Sequence, residues 1–576
     1  MRRRRSRTGC ARQWAGPEWA AGPRRNVARL TARARAALLI LFAGLAIGLM
    51  TPPRRLADAS TYVLMADSLW RDGDLTYTPA DLSRAVALQF ADLPSGLFLT
   101  KHPWGYAYAK PPLYPLVALP FYAAFGVRGF FALNGVLLAA LVVLGADILS
   151  HRLDWRHALF GAAVVFGFSV TPAYLHWIDP FLLCSALAAG SVAAYRRGRP
   201  GWCGALLAAL ASCRAPYLAL ALAPLGLYTL GRHWRALALF AAGALVVGAL
   251  LLGTTRLATG QWSAYGGERF YYESAFPFQL GHDEPEIGSR AALDLYAVRW
   301  PGVAELARSN LYFFLGRFAG VLVYMPTLLV CLLWSRWWDR EKLLWLLALL
   351  AACEAIQLAV PHSMIGGRHA LGNRLFILLP VGLVFVDFLA PCWLRVLATA
   401  LLLLVAVPVV QAPVYLSLNP GRQMLDVPYR FLPFEWTQAE RIAFPFPFPG
   451  MAGLTANQYE WERDAGVWTR GGTTAEFVLV RESSDVPRVR LWSLLPAARV
   501  ADGGFPVALQ WQPGAYMDVT LSHPVVTFRD ESHEGTELAV YRLTITTDGG
   551  TAAAAMGRRD DSRSLGVLVR PLVADH

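Results

Sequence analysis

The sequence predicts a polytopic α-helical membrane protein that ends in a β-sandwich-like domain, and three observations support this fold class. The 576 residues are 55% hydrophobic and only 16% charged, whereas soluble proteins carry about 25% charged residues. The apolar residues form runs long enough to approach the thickness of a bilayer. Charge also divides along the chain, with a net charge of +17 over residues 1–413 and −4 over residues 414–576. These values exclude a cytosolic enzyme, a disordered chain and a small disulfide scaffold.

The N-terminal residues 1–35 contain eleven arginines and a single acid, Glu18. We interpret them as a basic cytoplasmic tail, with a nucleic-acid-binding or targeting arm as the alternative. The apolar run Ala36–Met50 follows directly and has no small-residue cleavage site after it. It is therefore typical of a membrane anchor rather than of a removed signal.

Eleven apolar segments are predicted to span the membrane within residues 36–413. After Ala36–Met50 they are Phe130–Leu149, Ala158–Leu175, Pro180–Tyr195, Trp202–Cys213, Pro216–Leu230, Ala236–Gly253, Leu311–Trp334, Leu343–Val360, Leu375–Leu389 and Val396–Val410. The break at Arg214 and Pro216 leaves one long kinked helix or two short helices open. The positive-inside rule favours two, because two helices keep Arg232 and Arg235 in an inside loop.

This topology has the N-terminus inside and three large polar stretches outside: residues 53–129, 254–310 and 414–576. The last stretch contains short β-rich runs separated by Pro, Gly and Asp, a pattern typical of an antiparallel sandwich. The runs are Glu476–Arg481, Val489–Leu494, Val507–Trp511, Tyr516–Leu521, Val525–Phe528, Glu537–Thr547 and Leu565–Val569. We therefore expect an extracytoplasmic β-rich domain at 414–576.

The first external stretch begins with an amphipathic pattern. Tyr62, Met65, Ala66 and Leu69 have the spacing i, i+3, i+4 and i+7, which predicts a helix of about three turns lying along the membrane interface. Asp58 would stand at its start, near the bilayer surface, where a carboxylate can act on a polar headgroup. A helix N-cap is the alternative role for Asp58.

Lys110 precedes two prolines and an apolar run in the same stretch. A rigidly held lysine at the start of a helix is suited to bind a phosphate, and snorkelling at the interface is the alternative. Whether residues 112–126 cross the membrane stays open. His102 is a weaker candidate for substrate binding, because a lone histidine is more often a hydrogen-bonded surface group.

Asp179 is predicted to emerge between two spans on the same side as Asp58. An acid at such a position is costly unless it reaches water or a partner, so a functional role is the default hypothesis. Two such carboxylates can divide the work: one deprotonates an acceptor hydroxyl, and the other holds a metal ion or orients the donor.

Three arginines on the outer side are candidate phosphate ligands, since guanidinium groups are permanently charged, bidentate donors. Arg214 marks the helix break, Arg317 lies about two turns inside a span, and Arg374 follows Asn373 at another outer boundary. An internal ion pair is the alternative for Arg317, and interfacial anchoring is the alternative for the others.

The order and outward placement of these motifs resemble the GT-C superfamily of polytopic glycosyltransferases, within it the protein mannosyltransferase-like and aminoarabinose transferase-like members. The resemblance covers roughly residues 36–413. It is carried by Asp58 with Tyr62-Val63-Leu64-Met65-Ala66, Asp72-Gly73-Asp74-Leu75, Lys110-Pro111-Pro112-Leu113-Tyr114, Asp179-Pro180, Arg214-Ala215-Pro216, Gly316-Arg317-Phe318-Ala319-Gly320 and Gly372-Asn373-Arg374-Leu375-Phe376.

The resemblance implies a GT-C-like fold and the transfer of a sugar from a polyprenyl-phosphate donor to a lipid, glycan or protein acceptor. The reaction would take place at the outer face of a bacterial plasma membrane. In such enzymes the residue matched by Asp58 is the catalytic base, Asp179 matches a supporting or metal-binding carboxylate, and Lys110 matches the lysine that grips the lipid phosphate. Many members have a second acid where this chain has Ala59. A divalent metal ion therefore stays an open question, as does an inactive, diverged member.

Two further functions stay open on the sequence alone. A transporter or flippase of lipid-linked saccharide would use the same cationic groups, but transporters commonly show two matching interrupted helices, and only the segment at Arg214 is interrupted. The other function is a non-catalytic envelope assembly protein whose β domain binds glycans. With residues 1–35 interpreted as a cytoplasmic tail, we expect no nucleic-acid partner. The sequence also lacks a phosphate-binding Gly-rich Lys loop, a paired-Cys zinc motif and a Ser nucleophile elbow.

Overall fold

The computed structural model describes residues 23–52, 58–88, 96–262, 269–272, 276–279, 289–290, 302–326, 339–359, 371–376, 379–385, 400, 404–418, 424–425, 427–439, 444–445, 451–455, 457, 466–530, 536–553 and 563–572. The chain forms two compact units. The first comprises Met1–Arg299, Met325–Ala359 and Phe376–Val410, and the second comprises Trp300–Tyr324, Val360–Leu375 and Gln411–His576.

Helices account for most of the described chain before residue 419. They are α1 (Pro23–Met50), α2 (Ala59–Arg71), α3 (Pro79–Ala87), α4 (Leu113–Phe125), α5 (Arg128–Leu149), α6 (Trp155–Gly167), α7 (Phe181–Arg196), α8 (Pro200–Cys213), α9 (Leu222–Leu230), α10 (Trp234–Thr259), α11 (Val303–Leu315), α12 (Val321–Tyr324), α13 (Arg340–Ala359), α14 (Leu379–Gly382) and α15 (Pro413–Leu418). Short 3₁₀ helices at Thr171–Tyr174 and Ala215–Ala221 join some of them.

Four of the described helices are long and apolar enough to cross a membrane. They are the Ala32–Met50 part of α1, α5, α10 and α13, while α4, α7, α8 and the pair Ala215–Leu230 are shorter apolar helices. Only 6% of the apolar window of α10 is buried inside the protein, against 67% for α5. Such exposed apolar surface is typical of contact with lipid. Eleven spans stay a prediction, since by length and composition the described residues supply four.

Glycines set the closest helix contacts in the first unit. A Cβ on Gly44 of α1 would collide with the carbonyl of Gly135 on α5, and one on Gly243 of α10 would collide with the carbonyl of Gly201 on α8. Small residues at such crossings let two backbones approach each other, a packing mode common between membrane helices.

The helix interruption predicted at Arg214 is present in the structure. α8 ends at Cys213, Arg214 is extended with φ −151° and ψ 106°, and the 3₁₀ turn Ala215–Ala221 leads into α9. Pro216 explains the break, because proline at that position cannot continue the hydrogen bonding of α8. Two short helices therefore replace one long kinked helix.

Other predicted spans differ from the observed helices. The segment Leu311–Trp334 is not one helix, since α11 ends at Leu315 and residues 316–320 form a turn before α12. The two glycines of that turn are poor helix formers. The segment Ala158–Leu175 ends as a helix at Gly167. The described part of Leu375–Leu389 forms only short helical pieces, up to Phe376 and over residues 379–385. Residues 377–378, 386–389, 396–399 and 401–403 of the last two predicted spans lie outside the described residues.

The helix predicted after Asp58 exists as α2, but it does not lie on the surface. All ten residues from Ala59 to Ser68 are buried, because α2 packs against α4 and against strand β2 (Leu97–His102). The expectation of a helix lying along the membrane interface is therefore wrong. The amphipathic spacing reflects one strongly apolar face of a helix that is enclosed on both faces.

A five-stranded antiparallel sheet, which the sequence did not predict, joins the first two external stretches. Its strands are β1 (Thr76–Tyr77), β2, β3 (Gly105–Tyr108), β4 (Phe270–Tyr272) and β5 (Ser289–Arg290), in the order β1-β3-β2-β4-β5. The pairing of β2 with β4, with Phe98 opposite Tyr271, brings residues near 98 and 270 together. This pairing positions the candidate site.

The second unit contains two further antiparallel sheets. Their strands are β6 (Phe444–Pro445), β7 (Met451–Gly453), β8 (Val467–Arg470), β9 (Thr474–Glu482), β10 (Arg488–Trp492), β11 (Arg499–Asp502), β12 (Phe505–Pro506), β13 (Tyr516–Thr520), β14 (Pro524–Asp530), β15 (Thr536–Thr546), β16 (Thr551–Ala552) and β17 (Ser564–Leu572). One sheet has the order β13-β10-β17-β16 with β8 on β17, and the other has β12-β11-β15-β9-β7-β6 with β14 on β15.

The two sheets share one hydrophobic core, as expected for a sandwich. Phe477 and Leu543 from one sheet and Leu491 and Val567 from the other belong to the same buried cluster. Six of the seven predicted β runs correspond to strands. The run Val507–Trp511 does not, because it packs across the core edge as a loop. The second unit also includes α11 and α12, which lie before the predicted boundary at residue 414.

Candidate functional site

Asp58 forms an ion pair in the first unit rather than capping a helix. Its backbone immediately precedes α2, yet its side chain makes no capping hydrogen bond. Instead its Oδ2 accepts a hydrogen bond from Lys110 Nζ at 2.6 Å. The N-cap alternative for Asp58 is therefore wrong, and the carboxylate is directed toward the second candidate residue of the same external stretch.

Lys110 lies in a buried, mixed electrostatic environment. Its Nζ is 3.9 Å from the centre of the Phe98 ring, and the guanidinium carbon of Arg269 is 5.2 Å from the same ring. Burial, reinforced by the neighbouring Arg269 charge, lowers the pKa of Lys110 to about 8, against the opposing effects of Asp58 and Asp179. The lysine is thus charged at neutral pH, but the proton is held less tightly than on an exposed lysine.

The local sequence explains why Lys110 is fixed. The hairpin of β2 and β3 ends one residue earlier, where the Ala109 N–H donates to the Phe98 carbonyl at 3.0 Å. Pro111 and Pro112 then lead into α4 at Leu113. Because prolines restrict the backbone and a strand ends directly before, Lys110 has little freedom to leave the Phe98 ring.

Asp179 and Arg214 form a second ion pair, between the segment before α7 and the segment after α8. Asp179 is buried just before α7, and its Oδ1 lies 3.5 Å from Nη2 of Arg214 at the break after α8. The Arg214 guanidinium also packs 4.8 Å from the centre of the Phe181 ring. Both sequence-predicted residues therefore meet in one contact, and the helix break places the arginine within reach of the acid.

Asn134 fixes the turn that presents Asp179. This buried α5 side chain donates from Nδ2 to the carbonyls of Leu175 and Trp177, at 3.1 and 2.6 Å. Its Oδ1 accepts from the Tyr114 hydroxyl at 3.1 Å. Tyr114 stands four residues after Lys110 and also interacts with Asp179. Asn134 thus connects the segment that carries Lys110 to the segment that carries Asp179.

The two pairs act on one another electrostatically. The charge on Lys110 responds to Asp179 as well as to Asp58 and Arg269, so these groups occupy a single cluster. Counting described residues only, and including Arg214, the cluster contains three cations and two acids. An excess of positive charge in a buried setting favours an anionic ligand, and the aromatic rings beneath the cations keep water away from them.

His102 lies on the same face of β2 as Phe98, about 13 Å along the strand. It stacks on Trp104, with ring centres 4.7 Å apart, and packs near Gly260 at the end of α10. Its Nε2 is buried and finds no hydrogen-bond partner among the residues that the structure describes, and burial lowers the pKa of the imidazole. The structure does not bring His102 into the Lys110 cluster.

Arg317, Asn373 and Arg374 belong to the second unit, whereas the other candidates belong to the first. The Arg317 side chain donates to two backbone carbonyls, those of Leu432 at 3.2 Å and Arg430 at 2.7 Å. Its position follows the end of α11 rather than the interior of a span. Among the described residues, Arg317 thus hydrogen-bonds to backbone carbonyl groups instead of forming the internal ion pair given as the alternative.

The turn that carries Arg317 closes around Glu435, which the sequence did not single out. Glu435 is fully buried, and its Oε1 accepts from the N–H groups of Phe318 and Ala319 at 2.8 and 2.9 Å. The same turn reaches the other predicted motif, because the Gly372 N–H donates to the Phe318 carbonyl at 3.2 Å. Burial raises the pKa of Glu435 to about 7.

Asn373 and Arg374 follow directly in this arrangement. Asn373 is fully buried and has a left-handed backbone with φ +58°, a conformation that asparagine tolerates better than most residues. Its Oδ1 accepts from the Leu375 N–H at 3.3 Å. Arg374 begins a short 3₁₀ helix and is half-buried.

Four residues of the Lys110 cluster and of the turn around Glu435 were not predicted from the sequence: Phe98, Asn134, Arg269 and Glu435. Asn134 had a usable signal, since it is a polar amide within a 22-residue apolar helix, and such residues are costly unless they bond within the protein. The local sequence contains no such signal for Phe98 or Arg269, because only the long-range pairing of β2 and β4 brings them close to Lys110.

The described residues offer no grouped ligand set for a divalent metal ion, and a metal ion stays an open prediction. Among the described residues no three His, Cys, Asp or Glu side chains are grouped as ligands. The Asp58 carboxylate is already neutralised by Lys110, and the next residue is Ala59 rather than a second acid. Residues 281–286, which contain His282 and Asp283, lie outside the described part. No step below depends on a metal ion.

Comparison with known proteins gives a distant similarity to a solved structure. No protein-family model matches this chain, and no curated protein matches it. Among solved structures, the crystal structure of ArnT from Cupriavidus metallidurans in the apo state is similar, with 16% sequence identity and a TM-score of 0.39. The similarity covers 71% of this chain and 68% of that one.

Proposed function

We propose that this protein is a GT-C-type glycosyltransferase that moves a sugar from a polyprenyl-phosphate donor to a hydroxyl group of an envelope acceptor. The observation that carries the proposal is the contact between the Asp58 carboxylate and the buried Lys110 ammonium. It places a proton acceptor beside a cation for the leaving group. The order of motifs described above supports the same reaction class.

The reaction needs a base for the acceptor and a cation for the leaving phosphate. Asp58 takes the proton from the acceptor hydroxyl as its oxygen attacks the anomeric carbon. The bond between that carbon and the phosphate oxygen breaks, and its electron pair leaves with the polyprenyl phosphate. A single displacement of this kind inverts the anomeric configuration. General-base catalysis contributes about 10²–10⁴-fold to such reactions.

Lys110 and Arg269 stabilise the charge that grows on the phosphate. Their positions over the Phe98 ring are set before any ligand binds, so little reorganisation is needed during the reaction. Asp179 is held by Arg214 and by the turn that Asn134 fixes, and we assign it the role of orienting the donor. The roles of Arg317, Asn373 and Arg374 of the second unit, and of His102, in substrate binding stay predictions from the sequence.

The proposal also fixes a location. The protein would be a multi-pass protein of a bacterial plasma membrane, with its N-terminus in the cytoplasm and residues 414–576 outside. A cysteine introduced at Asp548, whose side chain is 83% exposed, should react with a membrane-impermeant maleimide added to intact spheroplasts. Labelling only after lysis would place the C-terminal part inside and contradict this topology.

The function is tested with the purified full-length protein in lipid nanodiscs and a radiolabelled polyprenyl-phosphate sugar. Release of free polyprenyl phosphate, together with transfer of label to an acceptor fraction from bacterial envelopes, supports the transferase. A flippase would move the intact donor between the leaflets of a proteoliposome without cleaving it. Movement without cleavage, or neither process, would contradict the proposal.

A further inference from the structure

The outer face of the β13-β10-β17-β8 sheet presents aromatic side chains in a row across its strands. Directly paired residues share one face of a sheet, and the register pairs Tyr516 with Trp492, Trp492 with Leu568 and Leu568 with Trp468. The opposite face carries Leu491 and Val567 into the sandwich core. Trp468 and Leu568 are buried in a small cluster on this face, against which Trp492 packs partly buried, so Tyr516 is the exposed end of the row.

Trp492 and Tyr516 are neighbours at one end of this row, and contacts within the protein hold Trp492 in place. The Trp492 indole donates from Nε1 to the Gly514 carbonyl at 3.1 Å and packs edge-on against Trp468 with ring centres 5.8 Å apart. Tyr516 lies 6.4 Å from Trp492 with the two ring planes at 44°. Tyr516 is nonetheless 67% exposed. A rigid exposed aromatic surface of this kind binds ligands at low entropic cost.

The next rows of the same face are charged. Arg490 and Asp518 form a bidentate pair with contacts of 2.7 and 2.9 Å, and the Arg490 guanidinium lies 6.0 Å from the Tyr516 ring centre. Arg570 stands opposite Arg490, and Arg488 stands opposite Thr520. Neither Arg488 nor Arg570 forms an ion pair within the described part of the chain, so this face has an excess of positive charge.

We propose that this aromatic–arginine face, formed by Trp492, Tyr516, Asp518 and Arg488, Arg490 and Arg570, is a binding site for an anionic glycan. The ring of Tyr516 would stack on the apolar face of a sugar, and the paired Arg490 and Asp518 supply a donor and an acceptor for adjacent hydroxyl groups. Arg488 and Arg570 would bind carboxylate or phosphate groups of the glycan. The charged rows beside the rings disfavour an apolar lipid or protein surface as the occupant.

This site is separate in its chemistry from the cluster at Lys110. Glycan binding here does not depend on transfer of a sugar, so either proposal can fail while the other holds. If both proposals hold, the same protein both binds an anionic glycan and transfers a sugar to an envelope acceptor.

Binding is measured by calorimetry on the full-length protein in detergent. The probes are an oligogalacturonate, a phosphomannan oligosaccharide, a maltooligosaccharide of equal length and an oligothymidylate. We expect saturable binding of at least one anionic glycan, weaker binding of the neutral one by at least tenfold, and loss of affinity at high salt. Equal binding of the neutral sugar, preferential binding of the oligothymidylate, or no binding of either anionic glycan would overturn the proposal.

Variants locate the binding to this face. Tyr516→Ala should lower the affinity at least tenfold, and Arg488→Ala with Arg570→Ala should lower it several-fold and reduce its salt dependence. Phe505→Ala, which removes an exposed ring from β12 of the other sheet, is the matched control and should leave binding unchanged. All these side chains are exposed, so unchanged thermal unfolding shows that each variant is folded. Unaltered affinity in Tyr516→Ala would contradict the assignment.

Discussion

The Lys110 ammonium donates to the Asp58 carboxylate at 2.6 Å, although the two residues lie 52 positions apart and neither is freely exposed. Burying an ion pair costs desolvation free energy, which the attraction between the partners does not always recover. Lys110 incurs this desolvation cost, and it lies close to a third charge, Arg269, and against the Phe98 ring. A folded protein gains little stability from such an arrangement, whereas a site for an anionic ligand gains affinity from it.

Lys110 should set the alkaline limit of activity. Its pKa is lowered to about 8, mainly by burial, and only the protonated form can bind the leaving phosphate. We therefore expect kcat/KM of the transferase reaction to fall as the pH rises from 7 through about 8. Lys110→Arg keeps the charge at all these pH values, so the fall of kcat/KM near pH 8 should disappear in this variant. A fall of kcat/KM that persists near pH 8 in Lys110→Arg would show that another group causes it.

The same lysine affects stability in a defined direction. Its pKa in the folded protein lies below the ordinary value of 10.5, so the unfolded chain binds the proton more tightly. The cost of holding the charged lysine is therefore fully present below pH 8 and is relieved as the pH rises toward 10.5. Lys110→Met removes the charge and also the ion pair with Asp58, so its Tm minus that of wild type should be higher at pH 7 than at pH 10, whatever its sign. Equal shifts at the two pH values would contradict the lowered pKa.

Asn134 should position Asp179 rather than take part in the chemistry. Asn134→Ala removes the donors to the Leu175 and Trp177 carbonyls, and a buried unsatisfied polar group costs about 1–3 kcal/mol. We expect a lower Tm and a fall in kcat of about tenfold to a hundredfold, since small misplacements of a reacting group are costly. Tyr114→Phe removes only one hydroxyl from the same network and should have the smaller effect. A lower Tm with unchanged kcat would limit Asn134 to a structural role.

Glu435 makes the stability of the second unit depend on pH. Burial raises the pKa of its carboxyl from 4.5 to about 7, so the stability it contributes is fully present below pH 4.5 and is lost as the pH rises through 7. Glu435→Gln keeps an oxygen acceptor for the two backbone N–H groups and cannot ionise. We expect its Tm to exceed that of wild type at pH 8 and the difference to shrink at pH 5. A difference independent of pH would contradict the raised pKa.

The glycine at position 316 tests how tightly the turn closes on Glu435. A Cβ there would collide with Glu435 Oε1 and with the Tyr312 carbonyl. Overpacking of this kind usually costs about 1–3 kcal/mol, so Gly316→Ala should lower the Tm. Gly549→Ala, where a Cβ meets nothing within 4 Å, is the control in the same unit. Equal Tm values for the two variants would show that the turn relaxes without cost.

The sequence predicted those features that depend on local pattern. The apolar runs predicted α5, α10 and α13, and Pro216 predicted the break beside Arg214. Short β-rich runs separated by Pro, Gly and Asp predicted β9, β10 and β15. These features follow from nearest neighbours along the chain, where backbone restriction and burial of one face decide the conformation.

Features that depend on distant partners were not predicted. The burial of α2 on both faces required knowledge of α4 and β2, and the ring of Phe98 beneath Lys110 and Arg269 required the pairing of β2 with β4. Asp58 was compatible with a cap or with an ion pair, and only the position of Lys110 decides between them. Gly316 and Gly320 resembled a helix motif, yet they form a turn because Glu435 occupies the space beside them.

The transfer assay on Asp58→Asn measures the central claim most directly. We expect release of polyprenyl phosphate to fall by about 10²–10⁴-fold, with membrane insertion unchanged and with full activity in Asp548→Asn, an exposed acid of the second unit. Undiminished release by Asp58→Asn would contradict the account, because the base would then lie elsewhere.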